Sequence, residues 1–171
     1  MNWAHVHLLL NHLPVVGTVF GVLLMLLALL RKSEELKRAS LGVFVITALI
    51  ALPVYFTGEP AEDVVENLPD VSEALIDSHE RAALFAVIMA EITGIVSSTG
   101  LVLYRRDVKL HGRVVIAALI LSIVTSCLMG WTANLGGRIR HTEIRAGFKA
   151  PVETETEDKE KAGKEEEHEK P

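Results

Sequence analysis

One cysteine, Cys127, stands in the whole chain, inside an apolar run. An internal disulfide and a thiolate metal cage are therefore excluded. A basic excess is also missing. From Met1 to Ala150 thirteen acids balance thirteen lysines and arginines, which leaves nothing to attract nucleic acid. The residues from Pro151 to Pro171 hold nine acids and four lysines and account for the whole net charge of −5. No P-loop, dinucleotide fingerprint, nucleophile elbow, Cys-x-x-Cys-His or His-Glu-x-x-His occurs. These absences point to a cofactor-binding or interaction protein rather than an enzyme. The N-terminus lacks the positive start and small-residue cleavage site of a signal peptide, so the first apolar segment is expected to stay in the mature protein.

What is present is hydrophobic length. Apolar runs cover about residues 13–30, 41–57, 82–104 and 114–136. Each is long enough at ~1.5 Å per residue to cross a ~30 Å hydrocarbon layer. Backbone groups in lipid must bond within their own segment, so the runs read as helices. The expectation is an all-α transmembrane four-helix bundle over residues 1–150 with a disordered Glu/Lys-rich tail over 151–171. Its direct partner is the lipid bilayer.

Cations set the orientation. Arg31, Lys32, Lys37 and Arg38 follow the first run, and Arg105, Arg106, Lys109 and Arg113 the third. The loop from Glu59 to Glu80 carries eight acids. The two basic loops are expected on the cytoplasmic side and both termini outside, although Arg138, Arg140, Arg145 and Lys149 oppose this. Trp3, Tyr55 and Trp131 would mark the outer interface and Tyr104 the inner one. In the acidic loop, Val64, Leu68, Val71 and Leu75 recur at helical spacing and suggest short amphipathic helices broken by Pro69, with Asp70 and Glu73 as a capped start.

Small residues stand every four positions in the third run: Ala82, Ala86, Ala90, Gly94 and Ser98. Such a face lets membrane helices approach closely. Gly17 and Gly21 form one GxxxG in the first run.

The candidate functional residues gather at the expected outer ends of the helices. His5, His7, His12, His79 and His141 all fall there, with Glu59 and Glu62 at the start of the acidic loop. Imidazole with carboxylate suits a transition ion, and histidine pairs serve haem as axial ligands. His12 and His79 are the preferred haem b pair. Arg138 and Arg140 are placed to neutralise propionates. His5 shares a helical face with His12 if the helix continues past Pro14, and His7 then points elsewhere. A metal ion would draw instead on His5, His12, His79, His141, Glu59 and Glu62. The bland alternative is that interfacial histidines need no ligand.

Glu91 lies near the middle of the third run. An ionisable group there is a functional hypothesis by default, and low-dielectric surroundings favour its neutral form. It is expected to point into the bundle toward Ser122, Thr125 and Ser126. A proton relay or ion site is one reading, and a protonated acid bonded to a neighbouring hydroxyl is the bland one.

Four segments carry a resemblance: Asn11-His12-Leu13-Pro14, Thr57-Gly58-Glu59-Pro60, His79-Glu80, and Asn134-Leu135-Gly136-Gly137-Arg138-Ile139-Arg140-His141. In these the chain, from about Met1 to Gly147, resembles a widespread group of small bacterial four-span membrane proteins classed as a domain of unknown function. The resemblance implies a bacterial cytoplasmic membrane and the four-span architecture. Three functions follow as expectations. The first is haem or metal binding in electron transfer, beside a membrane redox protein or a second copy. The second is a non-catalytic subunit or assembly factor. The third is proton or ion conduction through Glu91.

Overall fold

The computed structural model describes residues 2–106 and 111–148. The tail from Pro151, with His168, lies outside the described residues, as do Lys109 and Lys149. The described chain is all helical. A short α1 (Trp3–Leu10) leads into α2 (His12–Arg31), α3 (Glu34–Phe56), a short α4 (Gly58–Val65), α5 (Glu73–Arg105) and α6 (His111–Arg140). Four stretches, Trp3–Arg31, Glu34–Val65, Glu73–Arg105 and Gly112–Arg140, are long and apolar enough to cross a membrane.

Local chemistry sets the breaks. Pro14 has no N–H to give the Leu10 carbonyl and its ring crowds that oxygen, so the first helix interrupts at Asn11. Ser33 caps α3, its Oγ accepting from the Leu36 N–H at 3.3 Å, with Glu34 and Glu35 in the first turn. Lys32, in the left-handed region at φ 52°, makes the two-residue link before it. The expected capped start at Asp70 shifts by two residues: Ser72 is the N-cap of α5, and Asp70 itself is left-handed at φ 64°. Of the expected amphipathic loop, α4 forms a helix and Leu75 joins the first turn of α5.

The long helices pack in a ring. α2 lies on α3, α3 on α5, α5 on α6 and α6 back on α2, while the diagonal α3–α6 contact is slight. Successive members run antiparallel. Inside, the pattern is the reverse of a water-soluble core. The buried seam includes Ser40, Thr47, Ala48, Ala90, Thr93, Ser97, Ser122 and Thr125, and the surface shows Val16, Phe20, Leu23, Ile46, Leu49, Phe85, Ile95 and Ile120. Small and hydroxyl residues permit close backbone approach, and a surface of this apolarity belongs in lipid. Ser40, Thr93, Ser122 and Thr125 bond within the helices or across them, whereas Ser97 Oγ is buried without a hydrogen-bond partner among the described residues. Thr18 donates to the Pro14 carbonyl at 3.0 Å, and Thr93 meets Thr125 at 3.0 Å between α5 and α6.

The expected ladder of α5 is used in its middle. Ala86, Ala90 and Gly94 are buried, whereas Ala82 is half-buried and Ser98 is exposed. The packed face drifts toward Thr93, Ser97 and Gly100 because an α-helix turns 3.6 residues, not four, per turn. Bulkier side chains close the end near the α2–α3 link, where Met25, Leu41, Phe44, Tyr104, Val115 and Ala118 cluster. Tyr104, expected at the lipid interface, is instead buried in this cluster, under the Arg38 guanidinium 5.0 Å from its ring.

Ser40 ties α3 to α2 by donating to the Gly21 carbonyl at 2.8 Å in a fully buried contact. Ser40→Ala is expected to lower stability by about 1 kcal/mol, the net worth of one buried hydrogen bond. Unfolding in mild detergent measures it. An unchanged midpoint would mean that packing alone holds this helix pair.

The bundle unit ends at Arg140. His141 to Phe148 belong to a second unit, described by itself as the 3₁₀ turn Thr142–Ile144 and its flanks.

Candidate functional site at the end carrying α1 and α4

His7 and His79 come from separate helices and lie within electrostatic reach of each other at this end of the bundle. Both are partly buried. Their rings are fixed in similar ways. His79 Nδ1 lies 3.0 Å from the Thr132 carbonyl of α6, which can only accept, so Nδ1 carries the proton. His7 Nδ1 lies 3.1 Å from Thr57 Oγ1. The Thr57 hydroxyl spends its one proton on the Val54 carbonyl at 2.8 Å, so its oxygen accepts from His7 Nδ1–H. Both imidazoles are thereby set as Nδ1–H tautomers with an Nε2 lone pair left over. The Val54 carbonyl also lies in hydrogen-bonding reach of the His7 ring and, as an acceptor, shares its Nδ1–H, so no hydrogen bond is assigned to either Nε2 among the described residues.

The backbone makes room for these rings. A Cβ on Gly136 would stand about 3.0 Å from the His79 imidazole, so the glycine lets α6 lie this close without displacing the ring. Gly58 is the nearest comparable position to His7, at 3.9 Å from a notional Cβ. Thr57 sits at the end of α3, where Pro53 precedes it by one turn and its N–H closes on the Pro53 carbonyl at 3.1 Å.

The other expected residues separate from this pair. His12 is exposed and its Nδ1 faces the Leu8 carbonyl of α1, one turn back along the chain, at 3.2 Å. His5 is exposed on α1. Helical phase accounts for the exchange: His5 and His12, seven residues apart, are both exposed, and His7, on another face, turns inward. Glu59 is exposed, whereas Glu62 is half-buried and within hydrogen-bonding range of the Glu80 carboxyl across α4 and α5. Two carboxyls can bond in this way only while one keeps a proton. Arg138 is half-buried on α6, two residues beyond Gly136, and Arg140 is exposed. His141 belongs to the second unit, where its Nδ1 meets Glu143 at 2.7 Å. The Glu143 N–H and then the His141 ring hold that carboxylate below the usual range. Among the described residues no three His, Cys, Asp or Glu side chains converge as a metal-ligand group.

Glu91 departs from expectation. It does not meet Ser122, Thr125 or Ser126, whose hydroxyls bond to their own helix or, for Thr125, also to Thr93. It lines a recess between α3 and α5 beside Ala48 and Leu49, and its Oε1 is buried without a hydrogen-bond partner among the described residues. One position separates Glu91 from buried Ala90, and that ~100° of helix rotation takes it out of the α5–α6 seam.

His7, Thr57, Thr132 and Gly136 are the members that spacing did not single out. Thr57 and Gly136 did fall within motifs noted above. No protein-family model matches the chain, and neither curated proteins nor solved structures give a significant match.

Proposed function

We propose that the chain is a membrane electron-transfer protein that holds haem b between His7 and His79 at the end carrying α1 and α4. The observation that supports this reading is the pair of partly buried imidazoles with Nδ1–H engaged and Nε2 left bare. Metal-ligating histidines characteristically donate the remote ring N–H to a carbonyl or similar acceptor, which fixes the tautomer and strengthens the ligand nitrogen. Two imidazoles without a third protein ligand suit haem better than a bare ion. Porphyrin supplies four nitrogens of its own, whereas an ion such as zinc draws three or four ligands from protein. Arg138 would neutralise a propionate. The protein's contribution is placement and tuning of the iron, so the expected activity is electron passage rather than substrate transformation.

Haem titration of the detergent-purified full chain, read by absorption and by iron per chain, tests the reading. A saturating one-to-one complex with the spectrum of six-coordinate low-spin haem is expected. Non-saturating uptake, equal to that of empty detergent micelles, would sink it.

A further inference from the structure

The crevice between α3 and α5 has the composition of a ligand site at the opposite half of the bundle. Two recesses meet there at Val102. The larger, about 450 Å³, runs from Glu91 past Gly94, Ile95 and Ser98 on α5 and Val45 on α3. The smaller, about 330 Å³, carries Arg38 from α3 and Arg105 from α5. Leu49, Ile95 and Val102 are exposed along the walls, so the crevice opens sideways to the surface that faces lipid.

Lys37 pairs with Glu34 at 2.7 Å, but among the described residues neither Arg38 nor Arg105 forms an ion pair. Arg38 is held over the Tyr104 ring, which aims a guanidinium at the mouth of the crevice. Two guanidinium groups without ion pairs among the described residues, one of them stacked on Tyr104, beside an apolar trough complement an amphiphile with a negative head and a hydrocarbon tail. Basic pockets between membrane helices select anionic headgroups on these grounds.

We propose that the α3–α5 crevice binds an anionic glycerophospholipid, its phosphate between Arg38 and Arg105 and an acyl chain running down the trough toward Glu91. The trough is open because Gly94 and Ala48 bring the two backbones together with no side chain to fill the space beside them. Ser98 and Thr99 leave it only lightly lined. The bilayer supplies such a lipid directly, and the exposed apolar walls leave its second chain among its neighbours.

The test is lipid retention by the purified full chain from micelles holding equal amounts of phosphatidylglycerol and phosphatidylcholine. Phosphatidylglycerol should be enriched about fivefold or more, the scale of one to two arginines acting on a headgroup. Arg38→Gln with Arg105→Gln should bring the ratio near one. Arg105→Gln alone, at an exposed position that leaves the Tyr104 stack intact, should fall between. Arg31→Gln with Lys32→Gln, which removes equal charge outside the crevice, should leave the ratio unchanged. Ser98→Trp, filling the trough, should lower retention of both lipids. Equal retention by the parent would overturn the proposal, as would an equal loss from the Arg31/Lys32 pair, which would reveal diffuse surface charge. Self-association that survives lipid depletion and disappears in Ser98→Trp would assign the crevice to a second copy instead.

Discussion

His7→Ala is expected to abolish the low-spin haem spectrum as fully as His79→Ala, while His12→Ala leaves it intact. His7 and His79 present Nε2 atoms away from their Nδ1 partners, whereas the exposed His12 ring turns its Nδ1 to the Leu8 carbonyl of α1. Removing either proposed ligand would leave the iron short of one protein nitrogen, so the spectrum should change class rather than intensity. The supports should give graded losses. Thr57→Val keeps the shape but removes the oxygen that His7 Nδ1–H donates to, and such partners are worth about 10- to 100-fold in affinity. Gly136→Ala places a methyl about 3.0 Å from the His79 ring and should weaken binding by displacing it. Parallel titrations of these variants decide the ligand pair. If His12→Ala lost the spectrum and His7→Ala kept it, the assignment would return to the His12–His79 pair.

The largest stability effect is expected from Gly94→Ala, with rescue by Ala48→Gly. A Cβ at Gly94 would stand 2.6 Å from Ala48 Cβ. Both atoms are fixed by backbone, so no rotamer change relieves the overlap and α3 must move away from α5. Overpacking of this kind costs roughly 1–3 kcal/mol, and the helices here lack a hydrophobic driving force to compensate. Ala48→Gly alone should cost little, since it removes one methyl from a close contact. In the double variant the methyl simply changes helix, and stability should recover most of the loss. The coupling energy from the four-member cycle, measured by unfolding in mild detergent, should lie at the upper part of the roughly 0.5–3 kcal/mol range for residues in contact. An additive cycle would mean that α3 and α5 do not meet at this pair.

The His7–His79 pair and the Gly94–Ala48 pair differ in how much of each was legible beforehand. Gly94 was marked as an interface residue by its place in the Ala82–Ser98 series, and the structure buries it against Ala48. Ser98, from the same series, faces the crevice instead, because strict four-residue spacing drifts off one face of a 3.6-residue helix. At the other end, the gathering of histidines was visible as a shared helix end. Which two met was not. His5 and His12 share an exposed face, as their seven-residue spacing implied, and His7, on another face, is the one that turns inward.

The sequence by itself determined the class of solvent and the number of crossings. Four apolar runs of sufficient length leave the backbone no choice but helix in lipid, and short links leave successive helices antiparallel. It also determined that one end would be rich in imidazole and the other in guanidinium. The tertiary structure decided the pairings. Helical phase brought His7 rather than His12 toward His79, and the ring order of the bundle put Glu91 beside α3 instead of α6. Linear spacing states which residues share a helix face but not which neighbour that face meets. A turn of one residue, ~100°, is enough to move a side chain from a buried seam to an open groove.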